Sequence, residues 1–169
     1  MTRNDPVLAE NVCLALVAEG PTHGWAVATV LAPDGDIGRI WSLSRPLTYR
    51  ALDQLVTDGA IEKAGTAPGG GRSRTLLRVT DQGRTRNNAW LNQPVALPKD
   101  VRTELLVKFV LRERTGRSLE SLAADQRALF APLLNAMEPS ETSDFVASWR
   151  REHLEAIDRF LTSLAESNR

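Results

Sequence analysis

The chain has 169 residues, 42% of them hydrophobic and 25% charged, with 21 basic side chains against 21 acidic ones. That length suits one domain or two small ones with an ordinary core, and so apolar and balanced a composition excludes a disordered polyelectrolyte. Cys13 is the only cysteine, which excludes an internal disulfide and argues against a cysteine-based zinc site, while a net charge of zero reads at first sight against a partner as anionic as DNA.

Asp5, Glu10 and Glu19 are out of place in a secretory leader, and the apolar run Val12 to Ala18 is far too short to cross a bilayer. The expectation is a cytoplasmic protein with no membrane partner. Asp5 before Pro6 reads as an N-cap with proline at the first helical position, and Gly20-Pro21 ends that helix. Its apolar face is Leu8, Val12, Ala15, Leu16 and Val17. Thr22 is placed to cap a second short helix through Trp25, Val27, Val30 and Leu31, which stops before Pro33-Asp34-Gly35. Ser44 then opens a third helix from about Arg45 to Asp58, closed by Gly59. On a helical wheel Thr48, Tyr49, Leu52, Leu55 and Val56 share one side, and Pro46, Leu47, Arg50, Gln54 and Thr57 the other.

Ile61 to Thr66 and Thr75 to Val79 read as two strands, with Pro68-Gly69-Gly70-Gly71-Arg72-Ser73 as a flexible hairpin tip. Thr80 restarts a helix through Trp90 and Leu91. Helix, helix, helix, hairpin, helix is the order of a winged helix-turn-helix domain, in which the third helix enters the major groove and the hairpin is the wing. Pattern alone leaves a generic small α+β fold as the alternative.

The texture changes near Pro94 to Pro98. A helix from Asp100 to about Arg114 carries Val101, Leu105, Leu106, Phe109 and Val110, and Ser118 caps another with Leu122, Leu129, Leu133, Leu134 and Met137. Pro139-Ser140-Glu141 precedes a last long helix whose stripe is Phe145, Trp149, His153, Ala156, Ile157, Phe160, Leu161 and Leu164. Such a stripe needs a covering surface, and a second copy of the chain is the economical one. The expected fold is mainly α: a winged helix-turn-helix domain with a two-stranded wing over residues 7–92, then an α-helical dimerisation domain over 99–167.

Charge by segment changes the meaning of the zero. Residues 1–38 hold one basic group against five acidic, net −4, and residues 87–169 hold 11 against 12, net −1. Residues 39–86 hold nine against four, net +5, and coincide with the third helix and the hairpin. Phosphate binding needs positive charge only along the contact, because affinity comes from local counterion release. Arginine's forked donors suit phosphate and guanine. The residues placed to meet double-stranded DNA are Arg45, Thr48, Tyr49, Arg50 and Gln54 on the third helix, with Arg72 and Arg74 on the wing; Arg50 is the foremost of them.

Motifs in the same order strengthen this. Leu14-Ala15-Leu16-Val17-Ala18-Glu19-Gly20-Pro21-Thr22-His23-Gly24-Trp25, Tyr49-Arg50-Ala51-Leu52-Asp53-Gln54-Leu55, Gly71-Arg72-Ser73-Arg74, Val79-Thr80-Asp81-Gln82-Gly83, Trp90-Leu91 and Glu104-Leu105-Leu106-Val107-Lys108 together span most of residues 12–110. On these the chain resembles the PadR family of bacterial transcriptional regulators. The resemblance implies a dimeric winged-helix repressor held together by C-terminal helices, as in the larger subfamily, bound to a pseudo-palindromic operator. The family's inducers, phenolic and aromatic compounds or cationic drugs, imply a small aromatic or drug-like effector, for which Trp90, Phe109 and Trp149 are the candidate contacts. Pro46 and Leu47 stand where the family commonly has glycine and threonine, Leu77 where it often has tyrosine, and Trp25 where it usually has tyrosine.

Enzymatic chemistry finds no footing. His23 and His153 lie 130 residues apart, there is no G-x-S-x-G elbow, and the glycine run lacks the spacing and lysine of a P-loop. No metal or cofactor is expected. The alternative of another class is a winged-helix protein-interaction module that does not act on DNA.

Overall fold

The computed structural model describes residues 5–67, 74–136 and 144–166. Helices α1 (Pro6–Ala18), α2 (Gly24–Val30) and α3 (Arg45–Thr57) precede strands β1 (Ile61–Ala67) and β2 (Arg74–Val79) and helix α4 (Asp81–Asn92). The chain divides there into two compact units, 1–92 and 93–169.

In the first unit α1 starts as its sequence dictates: the Asp5 carboxylate accepts from the Val7 amide at 2.9 Å, and Pro6 needs no partner for a missing N–H. Val12 through Val17 are all buried, so α1 is a central helix rather than an amphipathic one, packed by α3, α4 and β2. The second helix departs from expectation. His23, not Thr22, is its N-cap, with Nδ1 accepting from the Ala26 amide at 3.1 Å. Thr22 is occupied otherwise: its amide donates to the Leu77 carbonyl at 3.1 Å and its carbonyl accepts from the Leu77 amide at 2.7 Å. Pairing on the free edge of β2 holds Thr22 extended, so the cap falls one residue later.

The third helix ends where Gly59 takes φ +72°, a left-handed conformation that glycine adopts without strain. Leu52 and Leu55 are buried against α1, while Arg45, Pro46, Arg50, Asp53, Gln54 and Thr57 are exposed. The strands pair antiparallel, with Ile61 opposite Val79 and Ala67 opposite Arg74. Leu77 and Val79 point into the core and Arg78 outward, as the alternation predicts. The hairpin tip, Pro68 to Ser73, lies outside the described residues. Thr80 joins hairpin to α4: its hydroxyl donates to the Gly59 carbonyl at 2.7 Å and accepts from the Gly83 amide at 3.1 Å.

The second unit is helical, with α5 (Leu106–Arg114), α6 (Glu120–Asn135) and α7 (Phe145–Glu166). The single helix expected from Asp100 instead opens as a 3-10 turn, Pro98–Asp100, and a π-helical turn, Val101–Leu105. The wider turn suits residues repeating every four positions, and Val101, Leu105 and Phe109 all enter the core with Leu122, Phe130, Ile157 and Leu161. Gln126 is wholly buried and satisfied by one residue: its Oε1 accepts from the Val95 amide at 2.7 Å and its Nε2 donates to the Val95 carbonyl at 2.9 Å. Met137 and Pro139-Ser140-Glu141 lie outside the described residues. The described fold is therefore mainly α, with a two-stranded antiparallel wing and C-terminal helices. No described helix is long and apolar enough to cross a membrane.

Candidate nucleic-acid interface

The exposed side of α3 rises between two grooves. One, about 330 Å³, lies between α2, α3 and the hairpin and is lined by His23, Gly24, Trp25, Tyr49, Lys63 and Arg74 among others. The other, about 130 Å³, lies between α1 and α3 and is flanked by Asp5, Glu10, Leu47, Arg50 and Gln54. Tyr49 and Arg50 are one helical step apart, so they face different grooves while both remain exposed.

Tyr49 is held by the absence of a side chain at Gly24. A Cβ there would stand 2.6 Å from Tyr49 Cε1, so the ring lies directly against the backbone of α2 while the residue stays 45% exposed. Arg45 and Arg50 make no hydrogen bond or ion pair among the described residues and are open to solvent. Gln54 is exposed but committed within its helix, its Nε2 donating to Asp58 Oδ1 at 2.8 Å. Thr48 corrects the expectation of a contact residue. It is 0% exposed and its hydroxyl donates to the Ser44 carbonyl at 3.1 Å, so it braces the first turn of α3 from inside. The hydroxyl sits on the buried stripe with Leu52 and Leu55, and the backbone bond satisfies it there.

On the wing, Arg74 lies at the start of β2 with its guanidinium 5.0 Å above the centre of the Trp25 ring and Nη1 3.3 Å from His23 Nε2. Arg72 falls outside the described residues. Two other cations of the +5 segment are paired with carboxylates. Arg78 pairs with Glu62 across the hairpin at 2.6 Å. Arg86 donates to Glu10 at 2.9 Å and to Asn11 at 3.3 Å, and lies 3.6 Å from Asp58. Arg45 and Arg50 on α3 and Lys63 on β1 are exposed, as are Arg39 before α3 and Arg84 on α4, while Arg74 is half-buried against Trp25.

Sequence reasoning missed His23, Trp25 and Lys63 as site residues. Trp25 reads as apolar packing at helical spacing, yet it is 46% exposed, because Val27 and Ala28 fill the buried side of α2. No local sequence signal marked them, because they join the groove through long-range pairing: Lys63 lies opposite Leu77 in the strand register, and Thr22, the residue before His23, bridges to Leu77.

The residues expected to meet an effector are not brought into either groove. Trp90 is buried on α4. Phe109 is buried in the core of the second unit, edge-on to Phe160 with ring centres 6.2 Å apart. Trp149 is 64% exposed and stacked on His153 at 5.1 Å. Among the described residues no group of three or more His, Cys, Asp or Glu side chains is placed to hold a metal ion.

No curated protein sequence matches the chain. Among solved structures it is similar to Bacillus subtilis PadR in complex with operator DNA, at 20% identity over 92% of this chain and 97% of that one, TM-score 0.48. It is also similar to Bacillus subtilis PadR in complex with p-coumaric acid, at 18% identity over 98% of each, TM-score 0.46. A third is a PadR-like transcriptional regulator from Bacillus cereus, at 17% identity over 94% of this chain and 92% of that one, TM-score 0.41. Residues 13–89, which hold α2, α3, both strands and most of α4, match the model of the PadR-like transcriptional regulator family, and over this stretch the chain is similar to that family.

Proposed function

We propose that the chain is a dimeric, sequence-specific DNA-binding regulator that represses a promoter until a small molecule releases it. Residues 7–92 form the DNA-binding domain and residues 99–167 the dimerisation domain. Each protomer sets α3 in a major groove of a pseudo-palindromic operator, with the wing on the flanking backbone. Arg50 and Arg45 meet base edges or phosphates, Tyr49 directs its hydroxyl to a phosphate, and Arg72 and Arg74 follow the backbone. Gln54 joins the contact after exchanging Asp58 for a base edge. The observation that carries this reading is the segregation of charge: the arginines of α3's outer face stay unpaired while Arg78 and Arg86 are neutralised by carboxylates.

The dimer is supported by the second unit's own surface. Phe145, Trp149 and Val146 on α7, and Leu129 and Leu133 on α6, are exposed apolar side chains. The effector is a small aromatic or drug-like molecule; of Trp90, Phe109 and Trp149, only Trp149 offers it an open ring. Its binding shifts the spacing or orientation of the two reading heads. The protein acts in the cytoplasm, where the operator is. Genome-wide capture of DNA bound by the full chain tests the reading: a few enriched loci sharing a palindromic motif support it. A folded protein that enriches none would be an interaction module instead.

A further inference from the structure

The chain that leaves the winged-helix unit is fastened by buried polar side chains of the second unit. Helix α4 ends at Asn92, the last residue of the first unit, and Gln93 to Leu97 lead to the 3-10 turn at Pro98. The Gln93 carbonyl accepts from Lys108 Nζ at 2.8 Å, and two residues later the Gln126 amide engages both backbone groups of Val95. Pro94 between them has its φ fixed by its ring. Val95 itself is buried in the core that Leu105 and Phe109 share. No unfastened residue therefore separates α4 from the first clamped position. Both clamps are costly to bury. The Lys108 side chain is 1% exposed, with Glu104 Oε1 at 2.8 Å, and Gln126 is wholly buried. Burial pushes the Lys108 amine below its ordinary pKa, against the opposing pull of Glu104. An apolar side chain at either position would fill the core without taking a charge or an amide out of water.

We propose that Lys108 and Gln126 are positioning residues for operator recognition: by fastening Gln93 and Val95 they remove slack from the connection and so set the half-site spacing that the dimer accepts. A free tether would let each reading head search, and would tolerate half-sites at several separations. A clamped one transmits the geometry of the dimer to the first residue after α4. One added base pair moves a half-site about 3.4 Å along the duplex and about 35° around it, which a tether without slack does not absorb. The charged ends of the Glu104-Leu105-Leu106-Val107-Lys108 motif gain a purpose in this way, since they form the ion pair that carries the Gln93 clamp. This rests on the reading of the chain as a dimeric DNA-binding regulator, and adds to it a determinant of operator choice that touches no base.

The test uses the full chain and the operator recovered by genome-wide capture, with versions carrying one base pair more or less between the half-sites and a short duplex holding one half-site alone. Fluorescence anisotropy gives the affinities. Lys108→Met keeps the apolar stem and removes the donor to Gln93; Gln126→Leu keeps the volume and frees both backbone groups of Val95. Wild type is expected to lose at least about tenfold on either altered spacing. Each variant is expected to bind the natural operator roughly tenfold more weakly, to differ by less than about twofold among the three spacings, and to keep wild-type affinity for the single half-site. A merely structural role would not flatten the spacing profile of a variant that sediments as wild type does. Hydrogen exchange on wild type gives a readout independent of how the variants fold: the Val95 amide is expected to exchange as slowly as the core amides of α6. Rapid exchange at Val95, a wild type indifferent to spacing, or folded variants with the wild-type spacing profile each overturn the clamp while leaving DNA binding intact. Failure of wild type to bind any duplex at low salt sinks the DNA reading, and this inference with it.

Discussion

Tyr49 sits in its groove because position 24 has no side chain, and that dependence is measurable. Gly24→Ala places a methyl group against the edge of the Tyr49 ring, which must swing outward. Such overpacking costs about 1 kcal/mol of stability, modest because a side chain rather than backbone yields. The larger expected effect is on DNA affinity, since the displaced ring occupies the groove beside α3; thermal unfolding and anisotropy on the same sample separate the two. Cys13 gives a second test. Burial, reinforced by the nearby Glu10 carboxylate, pushes its thiol up to about 12 from an ordinary 9.0. An acid whose folded pKa is raised contributes stability fully below 9.0 and loses it as the pH climbs toward 12. Urea unfolding from pH 8 to 10.5 is expected to fall more steeply for wild type than for Cys13→Ala. Native protein is expected to leave a thiol reagent unreacted at pH 8 until it unfolds.

At the scale of elements, Arg86 and Arg50 make a controlled pair. Arg86, on α4, ties α1 through Glu10 and Asn11 and reaches Asp58 after α3. Arg86→Ala is expected to cost about 1–2 kcal/mol in denaturant unfolding and to leave the salt slope of DNA binding unchanged. The reverse is expected for Arg50→Ala, since Arg50 makes no hydrogen bond or ion pair among the described residues. Elements governed by local signals were legible from residues alone: α1 from Asp5-Pro6, the end of α3 from Gly59, and the wing from the Leu77/Val79 alternation. What was not legible depended on long-range pairing. Thr22 lost the cap to His23 because Leu77, 55 positions on, claimed both its backbone groups. Thr48 turned inward because its hydroxyl found the Ser44 carbonyl, a choice that a wheel shared with Tyr49 does not decide. The π-helical turn at Val101–Leu105 is equally invisible to a 3.6-residue period.

For the whole molecule, the zero net charge proves to be an average over specialised segments, and within the +5 segment Arg45 and Arg50 on α3 stay unpaired among the described residues while Arg78 and Arg86 pair with carboxylates. The second unit has an internal core and a second, uncovered apolar surface: Leu154, Ile157 and Leu161 are buried, whereas Phe145 is 81% and Trp149 64% exposed on the same helix. A self-associating chain is expected, with twice the chain mass in sedimentation equilibrium. Phe145→Glu with Trp149→Glu is expected to give a folded monomer. Because two half-sites then bind separately, operator affinity falls by at least tenfold while the short-duplex affinity of a single reading head is kept.

The account turns on one claim, that the unpaired outer face of α3 binds DNA. The direct measurement is the equilibrium constant of the full chain for its captured operator over a range of salt, for wild type, Arg50→Ala and Arg86→Ala. The predicted result is a steep loss of wild-type affinity with salt, a slope lowered by about 2 (one contact per protomer) and affinity cut at least tenfold in Arg50→Ala, and a wild-type slope in Arg86→Ala. Equal affinities and slopes for wild type and a folded Arg50→Ala would contradict it.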